Sequence, residues 1–304
     1  MKDRLQRMQE FVDYHINGDG ECNNVVLKEY VERKKLTLQE RYEMAFLFSV
    51  TYCVQSAVIL FENQFLDMGL YKNQSSDLKS ILVFQSDRKY MKMKDNFERC
   101  IQDFKANHRN VKTFLQQVED NGIIKLDKAI KEVSKWVMYG RFASFLFLET
   151  FCELTGIKTE NTTIDWKNGD TATSGLLNLF GFDNMADNFD KTGKITLTDE
   201  KMDKMLLFTL QNIEKAGGNV NVTEVETSLC AYRKLYKGSR YNGYYLDRML
   251  EEIYTMNKYF PETSKELLDI RKSKFDKKYL GEFGGWKGIR KDMKKLYKET
   301  GIIS

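Results

Sequence analysis

Apolar positions fall at helical spacing along much of this chain, and two stretches carry the strongest pattern. The first, residues 37–65, opens with Thr37 and places Glu40 three residues later, the signature of a capping box, ahead of a nearly all-round apolar run. It predicts one long helix at the buried centre of the fold. Tyr52, Gln55 and Glu62 are its polar exceptions, and each needs a partner or a ligand. The second stretch, 129–154, predicts two helices joined by a tight turn at Met138–Arg141. Ile130, Val133, Trp136 and Val137 share a face of the first limb, while Phe142, Phe145, Leu146, Leu148 and Phe151 crowd the second.

The remaining pattern is weaker. Residues 1–36 read as one or two short polar helices, an accessory layer interrupted by the turn-rich NGDGECNN. Residues 84–104 predict a charged helix with aromatic punctuation, in which Asp87 and Arg88 make a local ion pair and carry no assigned chemistry. A short helix and an Asn121–Gly122 turn follow. Residues 156–175 read as a long polar loop, with a helix starting behind Ser174. Residues 186–223 look like a peripheral helical excursion closing at Gly217–Gly218, and its DKTGK stretch lacks the spaced acids of a calcium loop. The resulting division is 1–36 accessory helices, 37–260 a helical catalytic core of two intimately packed lobes, and 261–304 a basic helical extension. A single proline, Pro261, and many Leu, Lys, Glu and Met residues make the expected fold mainly α.

Composition narrows the function classes. With 42% apolar and 30% charged residues the chain has a globular balance. Its net charge of +4 is too small for a polycation, yet basic residues bunch in the last third, at Arg233, Lys234, Lys237, Arg240 and Arg248 and in the runs 271–279 and 287–298. The preferred reading of 287–298 is a solvated helix face with its own charge pairs. No apolar run is long enough to cross a bilayer and the N-terminus has no signal-peptide core, so a cytoplasmic location without membrane association is expected. Five dispersed cysteines, at 22, 53, 100, 152 and 230, read as free thiols. Two histidines in polar surroundings, His15 and His108, cannot build a zinc site with them, and neither metal nor cofactor is expected. Without a Walker motif or a Gly-rich dinucleotide loop, kinase and Rossmann readings fall away.

Three segments carry candidate chemistry. In the 129–154 pair, Gly140 can adopt a positive φ, with the amides behind it opening a helix where a phosphate is welcome. Two readings fit. One is a helix-hairpin-helix that grips a nucleic-acid backbone, its usual first glycine replaced so that the turn closes on Tyr139; the other is an ordinary helical corner. In the 156–175 loop, Asp165, Trp166, Gly169 and Asp170 precede a helix N-terminus suited to a phosphate or pyrophosphate oxygen, unless Asp170 or Thr173 simply caps that helix. In 225–253, Tyr236, Tyr241, Tyr244 and Tyr245 interleave with Lys234, Lys237, Arg240 and Arg248, a mixture suited to phosphates and unstacked bases. A packing corner accounts for Tyr232 and Tyr245 but poorly for the Lys237–Arg240 turn.

In their order, RYEMAFLFSVTYC, FQSDRKYMKMK, WVMYGRFASFLFLE, DWKNGDTATSG and ETSLCAYRKLYKGSRYNGYYLDR resemble the alpha-glutamyl/putrescinyl thymine pyrophosphorylase superfamily, in particular its phage amino acid:DNA transferase branch. The resemblance spans about 41–251. It implies a DNA-glycosylase-like helical fold acting on double-stranded DNA that contains modified thymidine. There, pyrophosphate on 5-hydroxymethyluracil is displaced by a small amine co-substrate, an amino acid such as glycine or a polyamine. On this reading Lys234, Lys237 and Arg240 clamp the leaving pyrophosphate, with Tyr241, Arg248 and Asp170 around it, and Asp165 or Glu226 acts as base or amine anchor. Asp165 follows Gly140 by 25 residues, near the spacing of catalytic aspartates in hairpin glycosylases. Trp136, Tyr139, Gly140, Arg141 and Trp166 would contact the DNA, the rings filling the gap left by a flipped base or stacking on it. Cys230 is read as a structural thiol. The alternatives are a DNA glycosylase that excises a modified base and a non-catalytic helical DNA-binding module.

Overall fold

The computed structural model describes residues 3–17, 20, 22–64, 66, 82–84, 96–160, 164, 166, 170–240, 242–275 and 280. Its elements are α1 (Arg4–Asn17), α2 (Cys22–Arg33), α3 (Leu38–Thr51), α4 (Val54–Glu62), α5 (Phe97–Asp103), a π-helical turn (Phe104–His108), α6 (Val111–Val118), β1 (Glu119–Asp120), β2 (Ile123–Ile124), α7 (Leu126–Val133), α8 (Arg141–Thr155), β3 (Lys158–Thr159), α9 (Asp170–Leu179), α10 (Asp183–Thr192), α11 (Asp199–Lys215), α12 (Val222–Tyr236), α13 (Tyr244–Asn257) and α14 (Pro261–Lys274). The fold is mainly α, as the sequence predicts. Among the described residues no helix is long and apolar enough to cross a membrane. The elements sort into two compact units, one drawn from 1–22, 161–248 and 275–304, the other from 23–160 and 249–274.

The 23–160 unit is organised by α3 packed along α8. Thr37 caps α3 and Glu40 completes the capping box, as expected, and every residue from Tyr42 to Thr51 is buried. The predicted single helix does not continue, however. Tyr52 adopts left-handed geometry (φ 50°, ψ 36°), Cys53 caps a new helix, and α4 folds back on α3. The Thr51 hydroxyl, bonded to the Leu47 carbonyl at 3.0 Å and the Cys53 carbonyl at 3.2 Å, helps close the turn. Rings from several elements then fill the space beside α3. Phe46 stacks on Phe104 at 3.7 Å, and Trp136 lies 4.8 Å from Phe147 and 5.2 Å from Tyr139. Asn121 and Gly122, both at positive φ, turn β1 into antiparallel β2, with β3 parallel to β2.

The segment read as a hairpin has a different shape from the one expected. The first helix, α7, ends at Val133, and residues 134–140 form an extended series of turns before α8. Gly140 sits at φ −90°, ψ −179°, ordinary extended geometry, and the positive φ belongs to Met138 at 67°. The described geometry is thus not shown to be a helix-hairpin-helix. The connection is tied down locally: the Val137 amide donates to Asp103 at 2.9 Å, and the Ser144 hydroxyl donates to the Gly140 carbonyl at 3.0 Å.

In the 161–248 unit, α9 packs closely on α12. Gly175 makes this possible, because a Cβ there would lie 2.2 Å from the Leu229 carbonyl oxygen. The helix begins at Asp170, not behind Ser174, so Ser174 and Thr173 lie buried inside it and neither caps it. The first helix of the 186–223 segment, α10, packs against α9. His15 is buried with both ring nitrogens on polar groups, 2.8 Å from the Ser228 hydroxyl and 3.1 Å from the Asn219 carbonyl, which places a proton on the nitrogen facing that carbonyl. Replacing Gly175→Ala is expected to force α9 off α12 and cost about 1–3 kcal/mol in urea unfolding, the usual scale of core overpacking.

Candidate functional site

The basic, tyrosine-rich segment folds as the end of α12, a turn and the start of α13. Asn221 opens α12 by accepting from the Thr223 amide at 3.0 Å, and the helix runs to Tyr236. Ser239 then returns to the Lys234 carbonyl through both its amide (3.0 Å) and its hydroxyl (2.9 Å), closing the helix end and ordering the Lys237–Arg240 turn. Glu226, Cys230 and Lys234, four residues apart, form a half-buried stripe on one face of α12. Arg233 lies on the buried side. Arg240 sits 4.8 Å from the Tyr244 ring centre and 4.7 Å from that of Tyr245, so this pair of rings positions a guanidinium. Arg248 is half-buried on α13.

Lys237 and Arg233 converge on Asp190 of α10. Arg233 donates to Asp187 at 2.6 Å and Asp190 at 2.7 Å and also to the Asn178 side chain, while Lys237 pairs with the same Asp190 oxygen. Ser174 donates to the other Asp190 oxygen at 2.5 Å. Burial works to raise the Asp190 carboxyl, but the bonds from Lys237, Ser174 and Arg233 outweigh it and hold its pKa at about 2. On the far side of Asn178 the pattern repeats. Arg7 of α1 donates to the Asn178 carbonyl at 2.6 Å and grips Asp183 through two bonds of 2.9 and 3.0 Å. Its bond holds the Asp183 carboxyl below the usual range despite partial burial. Arg7, Asn178, Asp183, Asp187 and Asp190 were all missed by reading the sequence, since single Arg, Asn and Asp residues scattered over three helices give no spacing signal.

The sequence-predicted DNA contacts divide by burial. Trp136 and Tyr139 are in the core of their unit, 4% and 5% exposed, and the Tyr139 hydroxyl lies 2.5 Å from that of Ser49. Trp166 is buried too, with its indole nitrogen 3.3 Å from Asp203. The Trp136 and Tyr139 rings pack against other rings, and none of the three side chains faces solvent. Gly140 and Arg141 are exposed, flanked by exposed Met138 and Phe142. Asp165, Gly169, Tyr241, Asp87, Arg88 and the 287–298 run lie outside the described residues, and Asp170 opens α9.

The cysteines are free thiols. Burial pushes Cys100 up to about 12, and burial with Glu252 nearby pushes Cys53 up as well, so neither is a ready nucleophile.

The family described as amino acid:DNA transferase matches residues 36–241, more than half of the chain. The chain belongs to this family. The match agrees with the resemblance read from the motifs, and it runs from the capping box of α3 through the Lys237–Arg240 turn. A comparison with curated proteins found no match. Family membership makes the protein a transferase acting on DNA. The Arg233–Lys237 corner of this protein is held by an ionised Asp190, and a depressed folded-state pKa contributes stability above the unfolded value near 4 that is lost as pH falls toward 2. Between pH 4 and 2, wild type should therefore lose more stability than Asp190→Asn, as chemical denaturation at each pH would measure.

Proposed function

We propose that this transferase displaces pyrophosphate from pyrophosphorylated 5-hydroxymethyluracil in double-stranded DNA, using an amine supplied by an amino acid. The observation that carries the reading is the family match across 36–241, which includes a cationic corner suited to a polyanionic leaving group. The amine nitrogen attacks the 5-methylene carbon, a carbon–nitrogen bond forms, and the carbon–oxygen bond to pyrophosphate breaks. The amine proton passes to a carboxylate, and the electron pair leaves with pyrophosphate.

Lys234, Lys237 and Arg240 are the proposed clamp for that leaving group, with Tyr241, Arg248 and Asp170 beside it. Pre-placed cations stabilise charge that grows as the bond breaks, without the cost of reorganising water. Glu226, on the α12 face that also carries Lys234, and Asp165 are the proposed base or amine anchor. Gly140 and Arg141 are proposed to meet the DNA backbone from their exposed turn.

The test is nucleoside mass spectrometry on duplex DNA carrying the pyrophosphorylated base, after incubation with the protein and a mixture of amino acids and polyamines. A nucleoside with the mass of a methylene-linked amino acid is expected. A polyamine adduct would reassign the donor, and abasic sites would replace the reading with a glycosylase. Lys234→Ala is expected to lower kcat/KM at least 100-fold with its thermal midpoint unchanged, because its target charge exists mainly in the transition state.

A further inference from the structure

A polar cavity lies in the 23–160 unit, and of the residues given a role so far only Trp136 lines it. It has a volume of about 350 Å3, at the lower end of the ~300–1,000 Å3 range of small-molecule sites. Its wall is built on the π-helical turn Phe104–His108, a local irregularity of a kind that recurs at functional sites. That turn places Lys105 and His108 on the cavity, and Arg109 follows directly. From α7 and the connection after it come Glu132 and Trp136, and from α6 comes Gln117.

The charges on this wall are of both signs and unevenly committed. Lys105 makes no ion pair among the described residues. Arg109 uses its Nε to hold Glu43 at 2.7 Å, leaving its terminal nitrogens outside that pair. Glu132 pairs through one oxygen with exposed Lys135, and its other oxygen takes no part in that pair. The His108 ring stacks on Trp136 at 5.0 Å with its Nε2 3.5 Å from Asp103, and burial lowers its pKa against the pull of that carboxylate, so an uncharged aromatic surface joins the charged groups in the cavity wall. The Trp136 indole N–H, on a side chain only 4% exposed, makes no hydrogen bond.

We infer that this cavity binds the free amino acid, with Lys105 and Arg109 holding its carboxylate and Glu132 its ammonium group. A zwitterion matches a site of two signs better than a polyamine, which would meet two cations, or a free phosphate, which would meet Glu132. The inference rests on the proposed amino acid donor. It locates that donor beside the connection whose apex exposes Met138, Arg141 and Phe142.

The experiment pairs isothermal titration of the full chain, with and without duplex DNA, against glycine, the other standard amino acids and putrescine with the transfer assay. At least one amino acid should bind. Lys105→Gln and Glu132→Gln, both solvent-reachable changes, should each weaken that binding tenfold or more and raise the KM for the amino acid while kcat stays within twofold. If wild type binds no amino acid at millimolar concentration under either condition, the site is overturned. The same holds if the two variants bind and transfer as wild type does while amino acid transfer to DNA proceeds; the proposed function then survives alone. Binding that both variants abolish, in a protein that transfers no amino acid, keeps the cavity as an amino acid site and removes the donor role. Putrescine binding indifferent to Lys105→Gln overturns the zwitterion assignment.

Discussion

A guanidinium withdrawn from water must be surrounded by acceptors, and Arg233 imposes that constraint on its whole unit. Its side chain is 4% exposed, and removing such a charge from water costs several kcal/mol unless carboxylates and amide oxygens replace the hydration. Asn178, Asp187 and Asp190 supply them, from α9 and α10, while Arg233 itself belongs to α12. Three helices are therefore fixed by one buried charge. Gly175 allows α9 and α12 to approach closely, and Arg7 binds α1 to the same Asn178 and to Asp183. Stability alone does not explain such a network, since apolar replacements of buried ion pairs are often neutral or better. What it provides is a fixed position for the end of α12, where Lys234 and Lys237 reside.

In the other unit the corresponding constraint is steric. Tyr42, Phe46, Phe104, Phe114, Trp136 and Phe147 occupy one volume, most of them edge to face. Rings in such contacts contribute beyond their buried area only while their angles are held. This is why Trp136 and Tyr139 cannot also serve as free stacking platforms, and why the Met138 backbone takes the positive φ. With residues 136 and 139 both drawn inward, the chain between them must bulge outward, and Met138 occupies the outermost point at 36% exposure.

Much of the fold was legible where local rules act alone. Thr37 and Glu40 announce the start of α3, Asn121–Gly122 announces a two-residue turn, and one proline with abundant helix formers announces the class. The break at Tyr52 was not legible, because no glycine or proline marks it; the turn is imposed by α4 packing back on α3. Gly140 misled for the opposite reason. Glycine permits a positive φ without requiring one, and burial of the neighbouring rings decided which residue took it. The start of α9 at Asp170 was hidden by Thr and Ser residues that read as loop but are buried against neighbouring helices. In the candidate site, the cations of 225–253 were visible as a cluster. The acidic partners of Arg233 and Lys237 came from sequence positions 43 and more residues away and left no pattern to read.

On the proposed reaction, that partnership bears on how a pyrophosphate would be received. Lys237 and Arg233 share one carboxylate oxygen of Asp190, yet Lys237 is 43% exposed and Arg233 is buried. An arriving polyanion competes only for the exposed partner, since a surface ion pair is worth about 0–1 kcal/mol and yields to a stronger anion. If Lys237 swings to the leaving group, Asp190 keeps the bonds from Ser174 and Arg233 and stays ionised. The helices do not have to move. A cation held in place before the reaction and released at little cost when the anion appears meets both demands of leaving-group stabilisation, and the buried guanidinium beneath it makes that exchange local.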